Sequence, residues 1–161
     1  MSVMSGLRNA KSFGGGSYLG VGKHRIKFLK AFVQKSEDPL KGGTQQFISE
    51  VEMVQSSAPD HTPGTTRSIY RDFKWPGTPG DIRDLILAVA PGLGYTAEQM
   101  KGWDDATWDR FGDWIIGAEN PLGQNEVVID VEGFNKPSKS TGTDFTKYKW
   151  GQVVSSKKLT K

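Results

Sequence analysis

Five stretches of this chain alternate apolar and polar residues with the period of a half-buried strand, and two others carry apolar residues at helical spacing. In the first, HRIKFLKAFVQK, the phase drifts. Ile26 and Phe28 share one face, then Leu29, Ala31 and Val33 share the other, which predicts a bulge or bend between them. Turn residues from Glu37 to Gly43 lead into QQFISEVEMVQ, where Phe47, Val51 and Met53 oppose Glu50 and Glu52, so the two stretches predict a hairpin. A polar loop, Ser56 to Thr65, precedes RSIYRDFKW, a third strand in which Ile69, Arg71 and Phe73 oppose Tyr70 and Lys74. The period then lengthens. Thr78-Pro79-Gly80-Asp81 opens a helix carrying Ile82, Leu85, Ile86 and Val89 on one face, stopped by Pro91-Gly92. A second helix is expected from Asp104 to Gly117, with Trp108, Phe111 and Ile115 as its apolar stripe and Asp105, Asp109 and Asp113 on another face. EVVIDVEGF and FTKYKWGQVV return to strand alternation around a loop from Asn135 to Asp144.

The order is therefore β-β-β-α-α-β-β in a mainly β domain. A helical insertion between the third and fourth of five strands, together with a long bent first strand, predicts the Greek-key β-barrel of the OB-fold. A ferredoxin-like fold would need a helix after the first strand, and an SH3-like barrel has no room for the helical stretch. At 161 residues and 17.7 kDa the chain fits one domain. Its expected parts are a flexible basic N-terminal arm (1–16), the barrel (17–154) and a basic C-terminal tail (155–161). Eight Phe, five Trp and four Tyr argue for a packed core in spite of 20 Gly and 8 Pro. The absence of Cys removes disulfides and thiolate metal sites. No apolar run has signal-peptide or membrane-span length, so a cytoplasmic location is expected.

Charge is distributed unevenly. Met1 to Ser36 carries seven Lys/Arg and no acid, Glu37 to Phe134 sums to −10, and Asn135 to Lys161 sums to +6. Because the basic ends contain the first and last strands, a barrel joining those strands would gather positive charge on one surface, as polyanion binding requires. Cations are also interleaved with aromatics, the pairing that lets a protein hold phosphates while bases stack on rings. The candidate contacts are Lys23, Arg25 and Lys27 on the first strand; Arg67, Tyr70, Arg71, Lys74 and Trp75 on the third; Lys136 and Lys139 in the last loop; and Lys147, Tyr148, Lys149 and Trp150 on the last strand. Tyr70, Trp75, Tyr148 and Trp150 are the candidate stacking rings. Arg8 and Lys11 in the arm are further cations.

The runs GSYLGVGKHRIKFLKA, KGGTQQFISEVEMVQSS, a helix ending in Ala-Val-Ala-Pro-Gly, and VVIDVEGFNKPSKSTGTDFTKYKW resemble phage-encoded OB-fold proteins that bind single-stranded DNA, over Gly16 to Gln152. The resemblance implies a role in phage DNA replication, recombination or repair in the host cytoplasm, with no catalysis and no cofactor. The partner it implies is single-stranded DNA, with RNA not distinguished. Bacterial single-strand binders often end in an acidic tip, whereas this chain ends with Lys157, Lys158 and Lys161.

Other chemistry fits less well. Gly16 to Lys23 has the wrong spacing for a P-loop, and His24 stands where Ser or Thr belongs. Glu50/Glu52 and Asp130/Glu132 are acid pairs that can bind metal in nucleases, yet alternation alone puts them on a wet strand face. No metal site or enzyme activity is expected. The alternative function is a protein-interaction module, a virion or inhibitor component, using the acidic Trp-rich helix 104–117 for a protein partner or self-association.

Overall fold

The computed structural model describes residues 18–35, 45–137 and 144–159. The arm 1–16, the first hairpin turn, Lys139 and the last two residues lie outside them. Five strands form one antiparallel sheet in the order β3-β2-β1-β4-β5. They are β1 Gly22–Lys35, β2 Gln45–Ser56, β3 Thr66–Asp72, β4 Val128–Pro137 and β5 Asp144–Ser155. The domain is thus mainly β, with helices between β3 and β4.

The phase drift in β1 has a structural cause. Its register against β2 shifts between Phe28 and Lys30, leaving Leu29 out of the ladder, so that Phe28 and Ala31 are both buried. The Leu29 carbonyl accepts from Asn120 Nδ2 at 2.8 Å, which ties the bulge to the helical segment. The first half of β1, Gly22 to Lys27, also pairs with β4, so this strand serves both halves of the sheet.

The helical segment contains α1 Thr78–Val89, a 3-10 turn Ala90–Leu93, α2 Ala97–Lys101, α3 Asp105–Ile115 and α4 Pro121–Gln124. The helices α2 and α4 were not expected from periodicity, since five and four residues are too few to display it. Local caps mark α2 and α3: Thr96 and Gln99 form a capping box, and Asp104 accepts from the Thr107 N–H at 2.8 Å. Leu85, Ile86 and Val89 of α1, with Phe111 and Ile115 of α3, join Ile26, Phe28, Phe47, Val51, Ile69 and Ile129 of the sheet in one core. Among the described residues no helix is long and apolar enough to cross a membrane.

The free edges of the sheet, β3 and β5, are brought together by side chains. Arg71 on β3 donates to the Thr146 carbonyl on β5 at 3.3 Å, and its guanidinium lies 4.8 Å from the Tyr148 ring centroid. Residues 18–20 form a strap between the edges. Tyr18 bridges to Ser68 in parallel fashion, the Leu19 N–H donates to the Ser68 carbonyl at 2.9 Å, and the Tyr148 hydroxyl donates to the Leu19 carbonyl. Covering edges in this way removes a template for unwanted strand pairing. Glycine is required beneath the strap, because a Cβ on Gly133 would run into the Gly20 carbonyl oxygen.

Candidate nucleic-acid interface

The β3 edge carries an aromatic cluster. Tyr70 projects from the face opposite Ile69, and its ring centroid is 6.1 Å from those of Tyr18 and Trp75, both in edge-on geometry. Tyr18 is 40 % exposed and Trp75 44 %, with Phe73 and Lys74 exposed beside them. Large rings left this open in a small domain indicate a surface with a use, since burial is their usual fate.

Asp72 places Trp75. Only 1 % exposed, it accepts from the Lys74 N–H at 2.9 Å, while its carbonyl accepts from the Thr78 hydroxyl at 2.6 Å and the Trp75 N–H at 3.1 Å. These bonds form the turn from β3 into α1. Burial, reinforced by the Asp72 carboxylate, pushes the Tyr70 hydroxyl up to about 12. Tyr18 is raised in the same direction, again by burial.

Across the strap lie Tyr148 and Trp150 of β5, with ring centroids 5.3 Å apart. Tyr148 is a closure element: its hydroxyl is tied to Leu19, its ring lies against Arg71, and burial raises it to about 12 against the lowering pull of that cation. Trp150 is half-buried and lines two clefts. The larger, about 850 Å³, runs between β5 and α1 and brings Lys147, Lys149, Trp150 and Phe134 opposite Asp81 and Asp84. Tyr18, Tyr70 and Trp75 thus form an open cluster at the β3 edge, whereas Tyr148 and Trp150 pack against the core on β5, with the Tyr148 hydroxyl tied to Leu19 of the strap.

The outer face of β1 is different. Lys23, Arg25 and Lys27 alternate with buried His24, Ile26 and Phe28, as a half-buried strand requires, but carboxylates stand beside them. Asp130 takes both Arg25 Nε at 2.8 Å and Nη2 at 3.3 Å, which raises the guanidinium further, and Lys27 lies 3.8 Å from Glu52. Lys23 is in register with Glu132, which is in register with Lys149. The acid pairs of β2 and β4 are therefore counter-charges to β1. Among the described residues no group of three or more His, Asp or Glu is arranged to hold a metal.

Two candidate cations are occupied internally. Arg67 is 8 % exposed, donating to the Asp60 carbonyl at 2.5 Å and the Tyr18 carbonyl at 3.4 Å, so it positions the strap rather than facing solvent. Arg71 pairs with Asp81 at 3.3 Å besides bridging β3 and β5. Lys74, Lys136 and Lys149 are exposed and Lys147 is half-buried, while Lys139 lies outside the described residues. At the start of the basic C-terminal tail the Lys157 N–H donates to the Asn125 carbonyl at 2.8 Å and the Leu159 N–H to the Ser156 carbonyl at 3.1 Å.

In the acidic Trp-rich helix considered for protein contact, Trp114 is half-buried in a ring cluster with Tyr95 and Phe111, and its indole N–H donates to Glu119 at 2.6 Å. Tyr18, Asp72 and Phe134, which the structure brings beside the candidate residues, do not stand out in the sequence. The Gly-rich start with its Tyr marked the first as an opening of the folded part, but strand periodicity carries no sign that it turns back to β3. No protein-family model matches the chain, and no curated protein matches it in sequence.

Proposed function

We propose that this chain is a non-catalytic, sequence-independent binder of single-stranded DNA, built on a barrel of OB-type topology, and that it acts in phage DNA replication, recombination or repair. The observation that carries the reading is the open ring cluster of Tyr18, Tyr70 and Trp75 at the β3 edge beside Lys74, with Trp150 and the β5 lysines Lys147 and Lys149 across the closure. A ring accepts any base, because every base has a π-face, and ammonium groups beside it neutralise phosphates without reading sequence. A sheet of five antiparallel strands with β1 shared between β2 and β4, and with Arg71 linking the β3 edge to β5, supports the barrel.

In this arrangement Tyr18, Tyr70 and Trp75 stack bases, Trp150 extends the path along β5, and Lys74, Lys136, Lys147 and Lys149 hold the backbone. Lys23 joins them at the margin. Arg25 and Lys27 are held by carboxylates, while Arg67, Arg71 and Tyr148 shape the surface from below.

The test is a titration with labelled oligo-dT of about 30 nucleotides and with a duplex of equal length, at two salt concentrations, following anisotropy and Trp emission. Tight dT binding that weakens with salt, weak duplex binding and quenched Trp emission are expected. Absence of dT binding at low salt rejects the reading.

A further inference from the structure

Two buried imidazoles grip the Gly20 peptide from its two ends. The Gly20 N–H donates to His61 Nε2 at 2.9 Å, and the Gly20 carbonyl accepts from His24 Nε2 at 2.8 Å. These partners assign the protons. His61 must be bare at Nε2, so its proton is on Nδ1, which donates to Asp60 Oδ1 at 2.8 Å. His24 must carry its proton on Nε2, so Nδ1 accepts from the Ser56 hydroxyl at 2.7 Å, and Ser56 Oγ in turn accepts from the Ala58 N–H at 2.9 Å. The rings are stacked 4.8 Å apart at 12°, and each is less than 5 % exposed. The Gly20 N–H bond requires His61 to be neutral, whereas the His24 Nε2–H bond to the Gly20 carbonyl holds in either protonation state.

A second proton on His61 breaks the Gly20 N–H bond. On His61 the new N–H would point at the Gly20 N–H, donor against donor. On His24 the new Nδ1–H would meet Ser56, which would have to turn its own hydroxyl away. Two stacked imidazolium ions would also repel one another across 4.8 Å. The neighbouring groups are Arg67 from β3, which opposes protonation; Asp60 from the β2–β3 loop, which favours it; and the Tyr148 hydroxyl from β5, bonded to Leu19. Gly133 is what β4 presents to Gly20.

The strap held in this way carries Tyr18, the ring that caps the Tyr70–Trp75 cluster. We propose that the His24–His61 clamp is a pH-sensitive latch: protonation of His61 at Nε2 releases the Tyr18–Gly20 strap, dismantles the Tyr18 end of the aromatic cluster and lowers affinity for single strands. The effect on affinity rests on the nucleic-acid reading above; the release of the strap does not. Burial, the largest influence on His24, holds it below the usual 6.5, with its Gly20 bond working the other way.

The decisive experiment measures hydrogen-exchange protection of the Gly20 amide in ¹⁵N-labelled full-length protein between about pH 7.5 and about pH 5, with the core Phe28 amide as control. Gly20 protection is expected to fall about tenfold or more while Phe28 protection holds. Unchanged Gly20 protection overturns the proposal, and so does a parallel loss at both amides, which would be general unfolding. In the double variant His24→Gln/His61→Gln the amide groups supply a donor and an acceptor without titrating, so the pH response should vanish; its persistence also overturns the latch. If this variant does not fold, the wild-type measurement still decides. Oligo-dT binding over the same range separates the two readings: failure to bind at pH 7.5 rejects nucleic-acid binding, whereas the Gly20 measurement judges the latch without DNA.

Discussion

The outer face of β1 and the β3–β5 closure are the two regions where cations cluster in sequence, yet the fold treats them oppositely. On β1, Arg25 is held by Asp130 and Lys27 by Glu52, so a run with no acid in 36 residues becomes a mixed-charge surface once β2 and β4 lie alongside. At the closure, Arg67 and Arg71 withdraw to brace the structure, leaving lysines beside half-open rings. Charge along a chain therefore identifies a polyanion surface only after cross-strand partners are subtracted. The closure, where rings rather than paired cations face outward, is the better interface.

The largest effect should come from removing rings. Tyr18→Ala with Trp75→Ala is expected to weaken oligo-dT binding by roughly 25-fold or more, taking the lower end of about 1 to 3 kcal/mol per stacked base, measurable by anisotropy. Trp75→Phe should retain most of the affinity.

Salt dependence sharpens the contrast. Lys74→Gln and Lys149→Gln should each reduce the slope of log affinity against log salt by up to about 1, whereas Arg25→Gln should leave it nearly unchanged. An equal loss for Arg25→Gln would erase the distinction between the two regions.

The strap can be broken without touching a ring. Gly133→Ala forces a Cβ against the Gly20 carbonyl and is expected to cost about 1 to 3 kcal/mol in urea unfolding. Affinity for dT should fall with it as Tyr18 is displaced. A smaller effect is expected at alkaline pH. Tyr70 and Tyr148 are raised from 10 to about 12, so their contribution to stability is complete below pH 10 and is lost as pH rises through about 12. Tyrosinate absorbance during a pH titration should show late-ionising tyrosines, with Tyr70 and Tyr148 ionising near pH 12.

Much of this architecture was legible because it depends on period. Alternation placed Phe47, Val51 and Met53 inward in β2, and the drift in β1 pointed to a bulge that is found at Leu29. Short helices escaped notice because one turn has no period, although the Thr96–Gln99 capping box marks α2 locally. The interface was harder to read. Lys74, Trp75, Lys149 and Trp150 were legible as interleaved cations and rings, but alternation does not distinguish a half-buried Tyr70 from a buried Arg67 whose partners are backbone carbonyls seven and 49 residues away. His24 and His61 looked unrelated at their separation in sequence. They meet because β1 and the β2–β3 loop converge on Gly20.

The most direct test of the interface is ultraviolet crosslinking of the full-length protein to oligo-dT, followed by mass mapping of the attached peptides. Crosslinks should fall on the segments containing Tyr18, Tyr70 and Trp75, with a further site at Trp150. Crosslinks confined to the β1 outer face or to the helices α2 and α3 would contradict the assignment of binding to the β3–β5 closure.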